Sequence, residues 1–489
     1  MKTPTVRTTE IQHRSQFLRV NRERGWTVAV AIVTGLAWLG NHAQADTAVR
    51  SNDFLNSIGA STHMSQGEDD PAQVAATLNY TGIRVIRDDG STSPEGLQKF
   101  IDVHQASGAK VSLLPITGNI AASLAEYETL AGAGALLDAE GPNEPNNERV
   151  TYQGAVSSNK TSLPVAHFQS DLYAAVKADP KLAGIPVFDS SESGGSEPDN
   201  CGLQFLTIPS GAGCLLPDGT QFADYANTHN YVCGHGLKGI TQDNIAWDAE
   251  DPTLRGTWDG LDCEYGRTWW GKGFQGYSDD DLKTLPRVTT ETGWVTQGKP
   301  SDHPLTEEQQ GKLFVNLYLD AFKRGWSYTF VYMLHDSGGQ GYWGFVHRDY
   351  SPKASANYLH NLTTVLADKG STATSFTPAV LHYSVDNAPG TVHDLLLQKS
   401  NGTFELAVWG EQAKGSSDAS VSLGATYPTV KVYDTTAGTT PIQTLANVSL
   451  VPLSLSDHAY IIEIPPAAAQ PSATAPVTNL PDGKPAQTD

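Results

Sequence analysis

The sequence predicts an α/β protein: a (β/α)8 TIM barrel followed by a C-terminal antiparallel β-sandwich. Between residues 51 and 369, short apolar runs of strand length alternate with stretches of helical periodicity, as in a barrel. Strands separated by helices run parallel, because the crossover helix packs outside the sheet. From residue 370 to 465 the helical period is lost and apolar residues alternate with polar ones, which indicates half-buried strands.

The predicted barrel strands are short, apolar or β-branched runs, most of them ending in polar residues. Such ends meet at one face of a barrel, where barrel enzymes keep their catalytic groups. In chain order these strands are Phe54–Met64, Gly82–Arg87, Lys110–Pro115, Ala135–Glu144, Ile185–Ser190, Ala223–Tyr231, Arg287–Glu291 and Tyr328–Leu334.

The predicted helices carry apolar residues at three- and four-residue spacing, with start signals at several of them. Pro94 opens one helix and Thr306-Glu307-Glu308 opens another. The helices are predicted over Pro71–Leu78, Pro94–Ala106, Ser123–Ala131, Val165–Ala178, Leu305–Arg324 and Pro352–Ala367.

The β-sandwich is predicted from turn signals and alternation. Asn401-Gly402 separates two alternating runs, Leu395–Lys399 and Thr403–Trp409, and therefore predicts a hairpin. Further strands are expected over Ala419–Leu423, Thr429–Tyr433 and Tyr460–Ile464. Residues 466–489 are rich in Pro, Ala, Thr and Gln, which is typical of a disordered tail.

Residues 1–45 are predicted to be a signal peptide. An arginine-rich segment that includes Arg14, Arg19, Arg22 and Arg24 precedes an apolar run, Trp26–Leu39, and Ala43-Gln44-Ala45 has the small-x-small pattern of a cleavage site. An uncleaved anchor is the alternative, but the run is short for a bilayer span. The expected location is secreted or periplasmic, without stable membrane association after cleavage.

The four cysteines fall between the fifth and seventh predicted strands. An even, clustered set in an exported chain predicts two disulfides, with three possible pairings. The absence of a C-x-x-C spacing disfavours a zinc site, so we expect no metal. The residues are Cys201, Cys214, Cys233 and Cys263.

The net charge of −21 limits the partners. The first 45 residues are net positive, so the remaining chain is more acidic still. This argues against nucleic acid and anionic lipid as partners. G-x-S-x-G, P-loop and H-E-x-x-H patterns are also absent from the sequence.

Two glutamates end strands that are far apart in sequence. Glu144 follows the fourth strand in Asn143-Glu144-Pro145, and Glu291 ends the seventh in Thr290-Glu291-Thr292. Two carboxyl groups facing each other across a sugar are what glycosidic bond cleavage requires, one as acid/base and one as nucleophile. Glu144 alone could also be an ordinary solvated loop acid.

These motifs resemble the retaining glycoside hydrolases of clan A. Because a β-sandwich is predicted after the barrel, the chain most resembles families 39, 5 and 30 of that clan. The resemblance implies that Glu144 is the general acid/base and Glu291 the nucleophile. It also implies that Arg87 lies near the nucleophile and that the His-x-Tyr of strand six is His229 and Tyr231, with Tyr231 donating to the nucleophile. The clan often ends strand eight with Trp; here Leu334-His335-Asp336 occupies that position, and Trp343 could replace it.

The other candidate residues have both a binding and a structural interpretation. Asn143 could hold the sugar hydroxyl beside the reacting carbon. Arg87 could instead pair with its acidic neighbours at the surface, and His229 could be a core histidine. Trp294 and Trp343 suit the apolar faces of sugars but also fill cores. Asp336 could bind a sugar hydroxyl or cap its loop.

The sequence therefore predicts a retaining β-glycoside hydrolase that acts on a poly- or oligosaccharide and needs no cofactor. Two alternatives stay open: a non-catalytic carbohydrate-binding protein, and a transglycosylase that remodels exopolysaccharide with the same residues.

Overall fold

The computed structural model describes residues 44–466 except 159, 194–205, 214–215, 230, 232–283, 299–303, 391 and 413–414. No helix in the described ranges combines the length and apolar character needed to cross a bilayer. The helices are α1 Ser51–Asn56, α2 Pro71–Thr81, α3 Pro94–Ser107, α4 Ile120–Gly132, α5 Leu163–Ala178, α6 Glu307–Lys323 and α7 Ala354–Leu366. The strands are β1 Gln44–Thr47, β2 Val49–Arg50, β3 Ile58–Ser61, β4 Val85–Asp88, β5 Lys110–Leu113, β6 Leu136–Ala139, β7 Thr151–Tyr152, β8 Ala155–Val156, β9 Glu192–Ser193, β10 Ala226–His229, β11 Arg287–Thr292, β12 Trp326–Val331, β13 Val380–Asp386, β14 Val392–Gln398, β15 Phe404–Gly410, β16 Ser417–Asp434, β17 Gln443–Leu455 and β18 Ala459–Ile464.

The predicted (β/α)8 barrel is confirmed by the order of its parallel strands. One sheet runs β6-β5-β4-β3-β12-β11-β10-β9. Isolated parallel bridges, Ala139 with Val187 and Phe188 with Tyr225, close this sheet into a ring. The fifth strand is therefore less regular than predicted, since it consists of such bridges followed by the two residues of β9.

The first predicted strand is wrong at its start. Phe54 to Asn56 lie in helix α1, and the strand is limited to β3. Phe54 is fully buried and packs edge-on against Phe322 of α6, with ring centroids 5.4 Å apart. The apolar residues at the start of this run therefore pack as a helix. A short apolar run does not by itself distinguish a buried helix from a buried strand.

Local sequence signals explain the helix ends. The Ser93 side chain accepts a hydrogen bond from the backbone N–H of Gly96 at the start of α3, and Gly108 ends that helix at a φ of 77°. Helix α6 begins with a capping box, in which Thr306 and Gln309 satisfy each other's backbone N–H groups.

The barrel interior is filled by a small apolar cluster below the polar strand ends. It consists of Val85, Phe188, Val288 and Phe330. Gly59 allows this packing, because a Cβ atom there would lie 2.6 Å from the Phe330 ring. The cluster leaves the opposite end of the barrel free for polar side chains.

The antiparallel β domain is confirmed after the barrel. Its sheet runs β1-β13-β16-β18-β15-β14-β2, with β17 paired to β16, and it encloses an apolar core of its own. The predicted hairpin is the β14–β15 pair, with Leu395 opposite Ala407. Gly402 adopts a φ of 87° in its turn. The two middle predicted strands form the single long strand β16, and β17 was not predicted.

Two strands that precede the barrel complete this β domain. β1 pairs antiparallel with β13, and β2 pairs parallel with β14. Gln44 and Ala45, which the sequence assigned to the signal peptide, lie in β1. The β domain therefore contains chain segments that precede the barrel in the sequence as well as those that follow it. A domain boundary at residue 370 includes only the segments that follow.

Candidate active site

The carboxyl ends of the barrel strands surround a pocket of about 590 Å³. Its wall includes side chains from the ends of β4, β6, β11 and β12. The site residues predicted from sequence that line it are Arg87, Asn143, Glu144 and Glu291. The pocket thus lies where barrel folds place their functional loops.

The two predicted glutamates face each other at this pocket. Glu144, Glu291 and His229 each contribute one atom to a group whose members lie within 4.8 Å of one another. The carboxylates are only partly exposed, 20% for Glu144 and 12% for Glu291. Two acids more than a hundred residues apart in sequence are therefore neighbours in the fold.

Glu144 is held in an unusual backbone conformation after β6. Its φ is 35°, in the left-handed region. Its N–H donates to the Ser191 carbonyl at 3.1 Å, and its own carbonyl accepts from the N–H groups of Asn147 and Glu148. These bonds turn the chain sharply after β6 and aim the carboxylate at the pocket.

Arg87 on β4 is buried and binds two acids at once. It donates from Nη1 to Glu291 Oε1 at 2.7 Å, and from Nε and Nη2 to the two oxygens of Glu140. Burial alone would lower its pKa, but Glu140 and Glu291 raise it. The surface pairing with Asp88 or Asp89 that the sequence allowed is therefore wrong.

Tyr231 and His229 divide their contacts between the two glutamates. The Tyr231 hydroxyl donates to Glu291 Oε2 at 2.9 Å. Burial, then the charge of Glu291, raises the pKa of Tyr231 well above its ordinary value, so it stays a neutral donor. His229 Nδ1 lies 2.8 Å from Glu144 Oε1 and its Nε2 lies 3.1 Å from Thr290 Oγ1.

Asn143 has its amide oriented by a neighbour in the site. Its Oδ1 accepts from Arg87 Nη2 at 2.8 Å, and its Nδ2 lies 3.5 Å from Glu148 Oε1. The amide N–H₂ is consequently the part of Asn143 available to a sugar hydroxyl.

Glu140 is a member of this network that the sequence analysis missed. It is fully buried, and besides Arg87 it accepts from Thr290 Oγ1 at 2.9 Å. A sequence signal for Glu140 was available. Asp138 and Glu140 are two residues apart and therefore lie on the same, inward face of a strand, and Glu140 precedes Glu144 by four residues. Glu140 thus supports Arg87 and Thr290 from beneath the pocket.

We expect Glu140→Gln to lower kcat/KM by about 10²-fold, because Arg87 loses the anion that holds its guanidinium in place. Breaking a buried ion pair should also lower the free energy of unfolding by about 3 kcal/mol. Steady-state kinetics and denaturant unfolding measure the two effects. The matched control is Asp138→Asn: Asp138 is buried and does not touch Arg87, and burial raises its pKa well above its ordinary value. Equal losses in both variants would contradict the role of Glu140.

Two residues predicted to bind sugar lie away from the pocket. Trp294 is 1% exposed and its ring packs on Phe314 in the core. Asp336 is also 1% exposed; its carboxylate binds Lys353 Nζ and the N–H of Gly344, each within 2.8 Å. The core interpretation of Trp294 and the loop-capping interpretation of Asp336 therefore fit the structure, whereas sugar contact does not.

Tyr332 takes the position after strand eight where the resemblance implied an aromatic residue. The strand ends at Val331, three residues earlier than predicted, so Tyr332 and not Leu334 follows it. The Tyr332–Met333 peptide bond is cis. Trp343 packs edge-on against both Tyr332 and Tyr231, at centroid distances of 6.1 and 5.8 Å. These rings form an aromatic wall beside Glu291.

The group formed by Glu144, His229 and Glu291 is also the one whose ligand atoms lie close enough for a cation, within the described part of the chain. The atoms that would coordinate a cation already take part in hydrogen bonds: Arg87 and Tyr231 each donate to Glu291, and His229 bonds to Glu144. Such an arrangement fits carboxylates that exchange protons or attack carbon.

The predicted disulfides stay a prediction. Cys201, Cys214, Cys233 and Cys263 lie outside the described residues.

Comparison with known proteins gives structural likeness only. The sequence matches no family model and no curated protein. The structure is similar to a glycoside hydrolase family 30 subfamily 8 xylanase from Clostridium acetobutylicum, with a TM-score of 0.49 and 13% identity over 86% of this chain and 97% of that one. It is also similar to a GH51 arabinofuranosidase from Xanthomonas axonopodis pv. citri (0.47, 13%, 86% and 97%) and to a family 17 beta-1,3-glucanosyltransferase from Rhizomucor miehei (0.40, 13%, 62% and 96%). Because these TM-scores and identities are low, the roles of the site residues are inferred from the distances and contacts within this site and not from the similar proteins.

Proposed function

We propose that this protein is a retaining β-glycoside hydrolase in which Glu291 is the nucleophile and Glu144 the general acid/base. The observation that carries the proposal is the placement of Glu144 and Glu291 at one pocket, with carboxylate oxygens within 4.8 Å of each other. Retaining enzymes hold their carboxyl groups about 5–5.5 Å apart, whereas inverting enzymes need about 6.5–9.5 Å to admit a water molecule. The spacing supports double displacement.

The contacts of each glutamate support this division of roles. Glu291 accepts from Arg87 on one oxygen and from Tyr231 on the other. Two donors stabilise a carboxylate, as a nucleophile requires. Among the described residues no arginine hydrogen-bonds to Glu144, whose Oε1 lies 2.8 Å from His229 Nδ1, so Glu144 lacks the direct guanidinium donor that Glu291 has.

In the first step Glu291 forms a bond to the anomeric carbon while the glycosidic C–O bond breaks. The departing oxygen takes a proton from Glu144. In the second step water bonds to the anomeric carbon and gives a proton to Glu144, and the ester bond to Glu291 breaks. The enzyme returns to its starting state with its protons balanced, and no cofactor takes part.

The proposed substrate is a poly- or oligosaccharide, and the proposed location is outside the cytoplasm. The open pocket with polar walls and the aromatic ring of Tyr332, against which Trp343 packs, suits a sugar ring. Export rests on the basic and apolar pattern of residues 1–45. The acidic net charge supports a partner other than nucleic acid.

The test is a panel of β-glucans, β-xylans and aryl β-glycosides, followed by NMR of the first product formed. We expect release of new reducing ends and a β-anomer that appears before mutarotation. A first-formed α-anomer would refute the retaining mechanism. Binding without new reducing ends would favour the carbohydrate-binding alternative, and products longer than the substrate would show that transglycosylation dominates.

A further inference from the structure

A chain of hydrogen bonds leads from the buried Glu140 to the pocket. Thr290 Oγ1 lies 2.9 Å from Glu140 Oε1 and 3.1 Å from Asn227 Oδ1. On its other side, Thr290 Oγ1 lies 3.1 Å from His229 Nε2. His229 Nδ1 then lies 2.8 Å from Glu144 Oε1. Since His229 is 1% exposed, this chain is shielded from solvent.

The direction of the bonds follows from what each group can donate. A hydroxyl has one hydrogen, and that of Thr290 points to Glu140 or Asn227, both of which accept. Asn227 presents its oxygen to Thr290 because its amide N–H₂ donates to the carbonyl of Asp189 at 3.1 Å. Thr290 is therefore left with a lone pair for His229, and Nε2 of His229 must carry a hydrogen.

With Nε2 protonated, the 2.8 Å contact between His229 Nδ1 and Glu144 needs one more proton. Either the imidazolium donates from Nδ1 to the carboxylate, or neutral His229 accepts from the carboxylic acid of Glu144. A neutral imidazole facing a bare carboxylate would place two acceptors against each other. In both permitted forms, one proton lies between His229 Nδ1 and Glu144 Oε1, in addition to the hydrogen on Nε2.

We propose that His229 is a positioning residue that holds the catalytic proton with Glu144, so that the general acid is the His229–Glu144 pair. This inference rests on the proposed function. Among the residues that the structure describes, the other groups that face His229 are Glu291, whose Oε2 lies 3.5 Å from Nδ1, and the neutral hydroxyl of Tyr231 on that same oxygen. Arg87 offsets the charge of Glu291 from the far side.

The pair resolves a difficulty of the proposed mechanism. Burial would raise the pKa of Glu144, but the hydrogen bond and charge of His229, with Asn147 and Arg87, lower it to about 2. A carboxyl group with that pKa would be a poor proton store at neutral pH. In the pair the proton is shared between His229 Nδ1 and Glu144 Oε1, and it leaves from Glu144 as the glycosidic oxygen takes it. Neutral His229 with Nε2–H remains, and the proton of the attacking water restores the pair.

The test compares His229→Asn with the wild type on phenyl and 2,4-dinitrophenyl β-xylobiosides or β-cellobiosides, whichever series the wild type cleaves faster. Asparagine keeps an N–H donor near the Nδ1 position but cannot store a proton. We expect turnover of the phenyl glycoside to fall at least about tenfold more than that of the dinitrophenyl glycoside, whose leaving group needs no proton. Equal losses on both substrates would overturn the proposal.

The pH profile gives an independent measurement. A proton shared by two bases is held more firmly than one on a single carboxyl group, and its apparent pKa belongs to the pair. Without His229, Glu144 alone must carry it. The alkaline limb of kcat/KM should therefore move to lower pH by about one unit or more. An unmoved limb would overturn the proposal.

Thr290 supplies a matched pair of variants that leaves His229 in place. Thr290→Ser keeps the hydroxyl and should keep the wild-type pH profile of kcat/KM. Thr290→Val removes the acceptor of the His229 Nε2–H and should move the alkaline limb of that profile to lower pH, as His229→Asn does. Should His229→Asn fail to fold, this pair decides. If Glu144→Gln stays active, the proposed function fails; if Glu144→Gln is inactive but the His229 and Thr290 variants behave as structural changes, only this inference fails.

Discussion

Glu291→Gln is expected to lower kcat by at least about 10³-fold, equivalent to about 4 kcal/mol of the activation barrier. Glutamine has nearly the shape of glutamate but offers no anionic oxygen to the anomeric carbon, so the covalent intermediate cannot form. The amide oxygen can keep the hydrogen bond from Arg87, and the amide N–H₂ can donate to the Tyr231 hydroxyl, so the fold should be retained. Steady-state kinetics with circular dichroism measures both outcomes.

Labelling locates the nucleophile directly. A 2-deoxy-2-fluoro glycoside with a good leaving group should add one glycosyl mass to the wild type, on the peptide that contains Glu291, and none to Glu291→Gln. Glu95→Gln is the matched control, because Glu95 is an exposed glutamate at the start of α3. A label on another peptide, or near-normal turnover by Glu291→Gln, would contradict the role of Glu291.

Glu144→Gln is expected to lower turnover of a phenyl glycoside by about 10²- to 10⁴-fold. The loss should be much smaller in the first step with a dinitrophenyl glycoside, since that leaving group departs without a proton. The glycosyl-enzyme should then accumulate, because no base activates water. Pre-steady-state kinetics measures this as a burst followed by slow turnover.

Azide provides the control for Glu144, because this anion attacks the glycosyl-enzyme without a general base. We expect azide to accelerate Glu144→Gln on the dinitrophenyl glycoside and to yield a β-glycosyl azide. Glu291→Gln should not respond in this way. Azide rescue of neither variant, with a fold intact by circular dichroism, would argue that Glu144 is not the acid/base.

Several parts of this protein could be predicted because their signals are local. The period of the apolar residues identified most barrel strands and the helices around them. Asn401-Gly402 identified the β14–β15 hairpin through its turn chemistry. The polar strand ends also singled out Glu144 and Glu291, and the family resemblance added Arg87; the fold brings the three together at one pocket.

Errors arose where a side chain's surroundings depend on distant segments. Trp294 comes two residues after β11 ends at Thr292, yet its ring packs in the core against Phe314. Asp336 was placed at the end of strand eight, but Lys353 holds it in a buried ion pair. The strand ended at Val331, so its aromatic residue is Tyr332. None of these differences has a local sequence signal, because each depends on packing against another element.

The sequence by itself determined the strand–helix alternation, the turn chemistry and the identity of the acids at the strand ends, since these depend on neighbours within a few residues. Only the tertiary structure decided which groups meet: Glu140 beneath Arg87, Thr290 behind His229, and β1 and β2 in the β domain. Hydrogen-bond partners are set by the closing of the barrel, which brings together side chains that the chain separates by 53 residues for Arg87 and Glu140 and by 61 for His229 and Thr290. The proposed sharing of a proton between His229 and Glu144 therefore depends on contacts that exist only in the closed barrel.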